Sequence, residues 1–408
     1  MTKKLSLLYV IGTYPSLTTT FIDREIEWLR KSGVNVQVLA IRRPSSRLSP
    51  EQEKIGKGTI YLLPASLLTL IWAHLASLLS HPITYLKTRF FLITRPHTSL
   101  GARLKTVYHF GEGIYAVHLA QGQSYTHIHA HFIDRAATVA LILGRFLHLP
   151  YSVTAHAADI YVNPTLLYEK LAEAKFVATC TGYNRTHLSQ LITNGLNDKL
   201  HCIYHGIDVN HYIQQKRRMN HRTSSHPLLL AVGQLKEKKG FTYLLDACRI
   251  LRERGYQFTC EIVGEGPLRM ILEEQIRDQG LVNTVTLCGA LPHEGVIEKY
   301  SQASIFVLAC TTSADGDRDG IPNVILEAMA MGLPVVSTRH SGIPEVVHNL
   351  ENGMLVEPED ATGLADALGV MLDDPMFRER LGQNGQKTVK EAFSIEKNAA
   401  RLLAEFQD

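Results

Sequence analysis

The sequence predicts an α/β chain of two domains, each built on a parallel sheet. Three observations carry this. Strand-length apolar runs alternate with amphipathic helix-length runs; the alternation stops in a polar, basic stretch near the middle and then restarts; and 408 residues exceed one ordinary core.

Leu5–Ile11 is apolar apart from Ser6 and reads as a buried strand. Thr20-x-x-Asp23 looks like a capping box opening a helix. Ile22, Ile26 and Leu29 give that helix one apolar face, and Gly33 stops it. Val34, Val36 and Val38 then alternate as a strand, completing a β-α-β unit. Further strands are expected at 126–130, 151–155, 175–179 and 201–204, so the first domain spans 1–212. Residues 213–227 are polar and basic without a period and read as a linker. The second domain, 228–390, opens with the strand Leu228–Val232, which runs into Gly233. A helix follows with Phe241, Leu244, Leu245, Cys248 and Leu251 on one face, then strands at 258–263, 285–288, 304–309 and 334–337. The last segment, 391–408, holds a helix candidate from Ser394 to Phe406 outside the sheet series.

Residues 61–105 break the pattern. Tyr61 to Ser80 is mostly apolar and near the roughly 20 residues of a membrane span. Pro64, four serine or threonine residues and His74 count against a span, and Lys87, Arg89, Arg95, Arg103 and Lys105 follow among aromatics. Three readings stay open: a packed helical insertion, a helix lying in a membrane interface as a peripheral contact, and a true span.

Charged residues make up 20% and apolar ones 45%, an ordinary globular composition, and the net charge of +3 argues against a dedicated nucleic-acid binder. The six cysteines form no C-x-x-C pair, which removes support for zinc and thioredoxin-like readings and fits buried thiols in a reducing compartment. The start, Met-Thr-Lys-Lys before Leu5–Ile11, has too short an apolar run and no A-x-A pattern for a signal peptide. A cytoplasmic protein is expected, at the inner face of the plasma membrane on the interfacial reading of 61–105.

The stretch from Ala314 to Glu327 invites three chemistries. Asp315, Asp317 and Asp319 alternate as in a calcium loop, but the EF-hand needs a bidentate Glu at its twelfth position, which is Leu326 here. As a glycosidase pair, Asp319 and Glu327 stand eight residues apart, roughly 12 Å along a helix, against about 5–9.5 Å between glycosidase carboxylates. The third reading fits. Pro322 suits a first helical turn, so the amides around Gly320, Ile321, Pro322 and Asn323 form a helix N-terminus able to bind phosphate, with an acid on either side for hydroxyl groups. That combination describes a nucleotide-sugar.

In the first half, His129-Ala-His131-Phe and Thr154-Ala-His156-Ala-Ala-Asp159-Ile-Tyr161 lie at successive strand ends, where open α/β sheets bind ligands. His129 and His131 alternate along a strand and are expected on opposite faces, which argues against a shared metal. A polar cluster follows His156 directly, and His156 is the favoured contact near a reacting carbon, ahead of His131.

These stretches resemble the family 4 retaining glycosyltransferases. Asp319-Gly-Ile-Pro-Asn-Val-Ile-Leu-Glu327 is similar to their E-x7-E motif, continuing through Glu327-Ala-Met-Ala-Met-Gly-Leu-Pro-Val-Val and Ser341-Gly-Ile-Pro-Glu345-Val-Val. Gly233-Gln-Leu-Lys-Glu-Lys-Lys239-Gly is similar to their G-R-L-x-x-x-K-G loop, and Ile262-Val-Gly264-Glu-Gly-Pro to a turn beside their donor site. Gly12-Thr-Tyr-Pro with Thr19-Thr20-Phe21 resembles their first strand-to-helix loop, and 126–161 looks most like the bacterial exopolysaccharide, colanic-acid-biosynthesis branch.

The resemblance implies the GT-B fold, two Rossmann-like domains facing across a cleft, with a C-terminal helix returning to the first. It implies transfer of a sugar from a nucleoside diphosphate to a hydroxyl of a glycan or lipid-linked acceptor, with retention and without a cofactor or metal. Asp319 would contact the donor sugar, Glu327 the ribose and Lys239 the diphosphate. Gln234 stands where the family has Arg, and Asp319 is one methylene shorter than the usual Glu. Gly12 and Gly264 would approach the donor, while Thr20, His131, Asp159 and Tyr161 would line the acceptor side. A phosphorylase or epimerase on the same fold, and a catalytically silent nucleotide-sugar-binding partner, remain the rival readings.

Overall fold

The computed structural model describes residues 4–16, 19–44, 48, 50–162, 164–191, 196–218 and 226–408. The chain forms two compact units, Met1–Tyr204 with Ala399–Asp408, and His205–Asn398. The boundary therefore lies at 204/205 rather than 212/213. Residues 213–218, expected as linker, end the helix Val209–Arg218, which buries Val209 and Tyr212. Its other residues are largely charged or amide side chains, so its apolar period is too short to read from sequence. Residues 219–225 lie outside the described residues.

The first unit is built on seven strands: β1 (Ser6–Thr13), β2 (Asn35–Arg42), β3 (Thr59–Leu63), β4 (His127–His131), β5 (Tyr151–Ala155), β6 (Val177–Thr179) and β7 (Leu200–Cys202). Their order is β3-β2-β1-β4-β5-β6-β7, and every pairing is parallel. The second unit has β8 (Leu228–Val232), β9 (Thr259–Val263), β10 (Val285–Gly289), β11 (Ile305–Leu308), β12 (Val335–Thr338) and β13 (Met354–Val356). Their order, β10-β9-β8-β11-β12-β13, is again all parallel. Each sheet starts in its middle, grows outward to one side and then crosses over. The switch points fall between β1 and β4 and between β8 and β11, where such sheets place their ligands beyond the strands' carboxyl ends.

Two strands escaped the sequence reading. β3 is fused to the apolar run beginning at Tyr61, so residues 61–63 are sheet, and the helix of that run covers only Leu67–Ser80. β13 has three residues, too few to establish an alternation. The expected capping box is not formed: Thr20 is the first helical residue, and the N-cap Thr19 makes no side-chain cap bond. Asp23 instead faces Tyr14 and Gln52.

β4 shows how the first core is assembled. All five of its residues are buried. Ile128 and Ala130 enter the apolar cluster with Leu8, Val10 and Val153, while His127, His129 and His131 share the opposite face. Residues two apart on a strand point the same way. The expectation that His129 and His131 diverge is thus overturned; their ring centroids are 5.2 Å apart. The last helix, Ile395–Gln407, covers this face. Phe406 lies 5.1 Å from His127 and from His129, and 5.5 Å from Phe176, measured between ring centroids.

Hydroxyl groups make the histidine face tolerable. His127 Nε2 and His129 Nδ1 lie 2.7 and 2.8 Å from Ser152 Oγ, and His129 Nε2 is 3.0 Å from Thr154 Oγ1. Burial pushes the His127 pKa down to about 3, helped by Lys175, and lowers that of His129 well below its ordinary value. Both rings are neutral in the folded chain, whereas the unfolded chain would protonate them below their ordinary value of 6.5. Their contribution is therefore complete above that value and is lost as the pH falls, by up to about 1.4 kcal/mol per pH unit for each ring. The first unit should lose thermal stability between pH 6.5 and 4, and His127→Gln should flatten that dependence. Melting temperature measured against pH checks this; an unchanged slope in the variant would disprove it.

Candidate active site

In the second unit, β8 ends at Val232 and delivers the loop Gly233–Gly240. Glycine fixes how closely this loop is packed. A Cβ on Gly264, at φ +151°, would sit 1.8 Å from the Gly233 carbonyl oxygen, and one on Gly240, at φ +64°, 1.7 Å from that of Ala309. The amides of Leu235 and Thr311 donate to the carbonyls of Glu265 and Lys238 at 3.0 Å each. Gly264, expected at the donor, thus packs directly beneath the loop that carries Gln234 and Lys239.

The loop after β11 brings the acids to these lysines. Lys239 Nζ lies 2.6 Å from Asp319 Oδ2, and Lys238 Nζ lies 2.9 Å from Asp317 Oδ2 and 3.3 Å from Asp319 Oδ1. Burial alone would raise the Asp319 pKa, but Lys239 and Lys238 outweigh it and hold the group below its ordinary value. Burial would lower the Lys239 pKa, and Asp319 reverses that too. The residues read separately as sugar and diphosphate contacts are therefore paired with each other, and Lys238 joins them while Gln234 is exposed. Asp315 accepts the Asp317 amide at 3.0 Å and Glu237 that of Ala314 at 3.0 Å, so these acids shape the loop.

The helix Asn323–Ala330 starts immediately beyond, with Pro322 as its N-cap and no side-chain cap. The Ile325 amide donates to the Pro322 carbonyl at 3.0 Å, while the amides of Asn323 and Val324 have no intrahelical partner by construction. Asn323 Oδ1 is buried there without a hydrogen-bond partner, as are His340 Nε2 and Ser341 Oγ on the loop after β12. The His340 pKa is lowered by burial and by Arg318, with Asp319 opposing. Orphaned buried polar atoms are uncommon in folded chains, and a ligand is one means of satisfying them. Glu327 is buried in the same helix, its Oε2 3.2 Å from the hydroxyl of the fully buried Tyr300. Tyr300 and His340 were missed from sequence, whereas Lys238 was expected to compensate for the charge that Gln234 lacks. His340 adjoins the quoted motif that begins at Ser341; Tyr300 carries no local signal.

In the first unit, Gly12 is the penultimate residue of β1, with open space where a Cβ would be. Thr20 opens the following helix. Half-buried His156 stacks on Phe132 with centroids 4.1 Å apart, and its Nε2 is 3.5 Å from His131 Nδ1. His131 is fully buried, and its Nε2 lies 3.0 Å from Glu25 Oε1, which also accepts the Tyr9 hydroxyl at 2.8 Å. His131 therefore stands behind His156 instead of lining the site. Asp159 is likewise turned inward: it accepts the His156 amide at 2.7 Å and, in a shorter contact, the Ile133 amide. Burial, then repulsion from Asp134, raises its pKa well above the ordinary value. The buried Lys170 donates to the carbonyls of Ile133, Asp134 and Thr165 at 2.8 Å each. Asp159 and Lys170 brace the loop after β4, a role that replaces the expected acceptor contact of Asp159. Tyr161 is half-buried, its hydroxyl 3.2 Å from Asn184 Oδ1.

Glu25, His129 and His131 also offer ligand atoms within 4.8 Å of one another, the spacing of a metal site. Their hydroxyl and carboxylate partners already satisfy the network.

Two substitutions probe the second-unit geometry. Lys239→Met should cost about 1–2 kcal/mol by leaving Asp319 with one cation, and Asp319→Asn in the same chain should recover part of it. Gly240→Ala should cost more, since it meets both positive φ and the Ala309 carbonyl. Denaturant unfolding checks both; an additive Lys239/Asp319 double variant would contradict the pairing.

Residues 213–388, which contain the loop Gly233–Gly240, Asp319 and Glu327, match the family model "Glycosyl transferases group 1". The chain is 44% identical over 140 residues to the amylovoran biosynthesis glycosyltransferase AmsK of Erwinia amylovora, covering 34% of each chain. It is 43% identical over 140 residues to the putative colanic acid biosynthesis glycosyltransferase WcaL of Escherichia coli, again 34% of each. The match thus spans about a third of the length of these relatives. At 25% identity it covers 69% of this chain and 76% of the alpha-D-kanosaminyltransferase of Streptomyces kanamyceticus. Among solved structures, a glycosyltransferase from Rickettsia africae superposes with a TM-score of 0.73 over 99% of this chain and 98% of that one, at 15% identity. HepE of Anabaena, crystallised with UDP and glucose, gives 0.71 over 99% of each at 16% identity. The fold is that of the GT-B glycosyltransferases, and within it residues 213–388 are similar to the group 1 glycosyl transferases.

Proposed function

We propose that the chain is a retaining glycosyltransferase that moves a sugar from a nucleoside diphosphate to a hydroxyl of a glycan or lipid-linked acceptor in bacterial polysaccharide or glycolipid synthesis. The observation that carries the reading is the Lys238–Lys239–Asp319 cluster beside the start of the helix that holds Glu327. Family membership of this segment, the polysaccharide pathways named for the relatives and the UDP and glucose bound to a fold neighbour support it.

Diphosphate oxygens would take the place of carboxylate on Lys239 and Lys238, with the helix-start amides as further donors. Asp319, released from Lys239, would turn to sugar hydroxyls, and Glu327, steadied by Tyr300, would accept from the ribose. As the glycosyl–oxygen bond breaks, the two lysines stabilise the departing phosphate without a metal. The acceptor hydroxyl attacks on the same face, and its proton passes to the leaving phosphate oxygen. His156, fixed by Phe132 and His131, is the first-unit group assigned to the reacting sugar.

A thermal-shift panel of UDP-, GDP- and ADP-sugars should show stabilisation by at least one of them. With that donor, Glu327→Ala should lower kcat/KM by about a hundredfold or more. The product should keep the donor's anomeric configuration by NMR, and chelator should leave the rate unchanged. Stabilisation by none of the panel, or full activity in Glu327→Ala, would overturn the reading. A rate that depends on inorganic phosphate would point to a phosphorylase.

A further inference from the structure

Residues 67–108 of the first unit present an apolar surface that its own fold leaves uncovered. The helices Leu67–Ser80, Pro82–Thr94 and Leu100–Ala120 pack on one another through their inner faces, where His74, Tyr85 and Phe110 meet. The outer faces are apolar. Leu68, Trp72 and Leu79 are 79, 63 and 82% exposed on the first helix, Phe90 is 70% exposed on the second, and Leu104 is 71% exposed on the third. Of the 23 large apolar side chains that are exposed among the described residues, 14 lie between Leu67 and Tyr108. One tenth of the chain thus holds more than half of them, well beyond the scatter of single exposed apolar residues found on soluble surfaces.

Charge identifies what covers this surface. The whole chain has 39 Asp and Glu residues, yet none falls between Glu53 and Glu112, a stretch with seven Lys or Arg. Five of these, Lys87, Arg89, Arg95, Arg103 and Lys105, lie exposed on the helices and the turn that joins them. A protein partner of mixed surface charge would call for acids as well as bases. Apolar side chains ringed by cations of one sign match the acyl boundary and headgroups of an anionic bilayer. The length of the helices decides how they lie. The first has 14 residues, about 21 Å at the usual rise and short of the roughly 30 Å hydrocarbon core. The next helix turns away from it by 115°, and no single described helix is long and apolar enough to cross a membrane.

We infer that the three helices form a platform lying in the plane of an anionic membrane surface, with Leu68, Trp72, Leu79, Phe90 and Leu104 in the acyl boundary and the lysines and arginines at the headgroups. Helix Leu67–Ser80 follows β3, so it starts from the sheet edge that also carries the loops after β1 and β5. Resting on the glycosyl-transfer reading, that placement brings Gly12 and His156 to the edge where a lipid-linked acceptor would be presented.

The test needs no knowledge of the reaction. The full chain is sedimented with vesicles of phosphatidylcholine alone and of phosphatidylcholine mixed with phosphatidylglycerol. Binding should require the anionic mixture and weaken as salt is raised. Leu68→Ser, Trp72→Ser and Leu79→Ser together should lower the bound fraction by about tenfold. Lys87→Gln, Arg89→Gln, Arg103→Gln and Lys105→Gln together should abolish the preference for anionic lipid. All seven side chains are exposed, so the far-UV spectrum and melting temperature should be unchanged, confirming folded variants. In Trp28→Phe protein, the remaining Trp72 fluorescence should shift to the blue on binding. No sedimentation with either vesicle overturns the proposal. So does loss of a dimer in the apolar variant without any vesicle binding, since the surface would then be a subunit interface. Retention in the membrane through alkaline carbonate extraction also overturns it, in favour of a span.

Discussion

The first unit depends on a polar face being buried without being charged. Three histidines on the central strand β4 lie beneath the last helix, and Phe406 rests against two of them. His127 and His129, bonded to Ser152 and Thr154 with their pKa values lowered by burial, can be buried there as neutral rings, whereas imidazolium could not. The same strand then hands His131 to Glu25 on one side and to His156 on the other. The orientation of His156, the half-buried member of this row, is thus set by residues that no ligand need touch. Asp159 and Lys170 fix the adjoining loop from below, one through amides and the other through carbonyls. His156 and the loop after β4 are held in place by a network that continues into the core.

The second unit solves the corresponding problem with backbone instead of side chains. Gly264 and Gly240 let two turns approach within distances no Cβ permits, so the lysine loop is wedged between the ends of β9 and β11. Once wedged, Lys238 and Lys239 point at the acids of the loop after β11. Their mutual neutralisation lets charge be kept in a partly buried place. The uncharged Gln234 is exposed, while Lys238 reaches both Asp317 and Asp319.

Much of this was legible in the sequence because it rests on local chemistry. Strand and helix periods located most strands to within a residue or two, and the motif around Asp319, Pro322 and Glu327 marked the helix start. The misses have physical reasons. β3 was hidden because a strand and an apolar helix adjoin without a polar break. The helix that ends at Arg218 was hidden because so little of it is buried. Asp159 and His131 read as surface chemistry because polar residues near strand ends usually are; only the three-dimensional partners, Ile133 and Glu25, turn them inward. The histidine pair was misplaced by a parity error, since two residues along a strand return to the same face.

The last helix carries the chain from the second unit back to the first, with Ala399–Asp408 belonging to the unit whose other residues come first in sequence. Synthesis proceeds in the opposite sense. Until Leu402 and Phe406 have emerged from the ribosome, the sheet made earliest stands with His127 and His129 wet and open to protonation. The unit that begins first therefore completes its core last, after every strand of the second unit has already been made. A nascent chain stalled anywhere before this segment holds an unfinished first half, exposed to chaperones and proteases for the whole interval of translation.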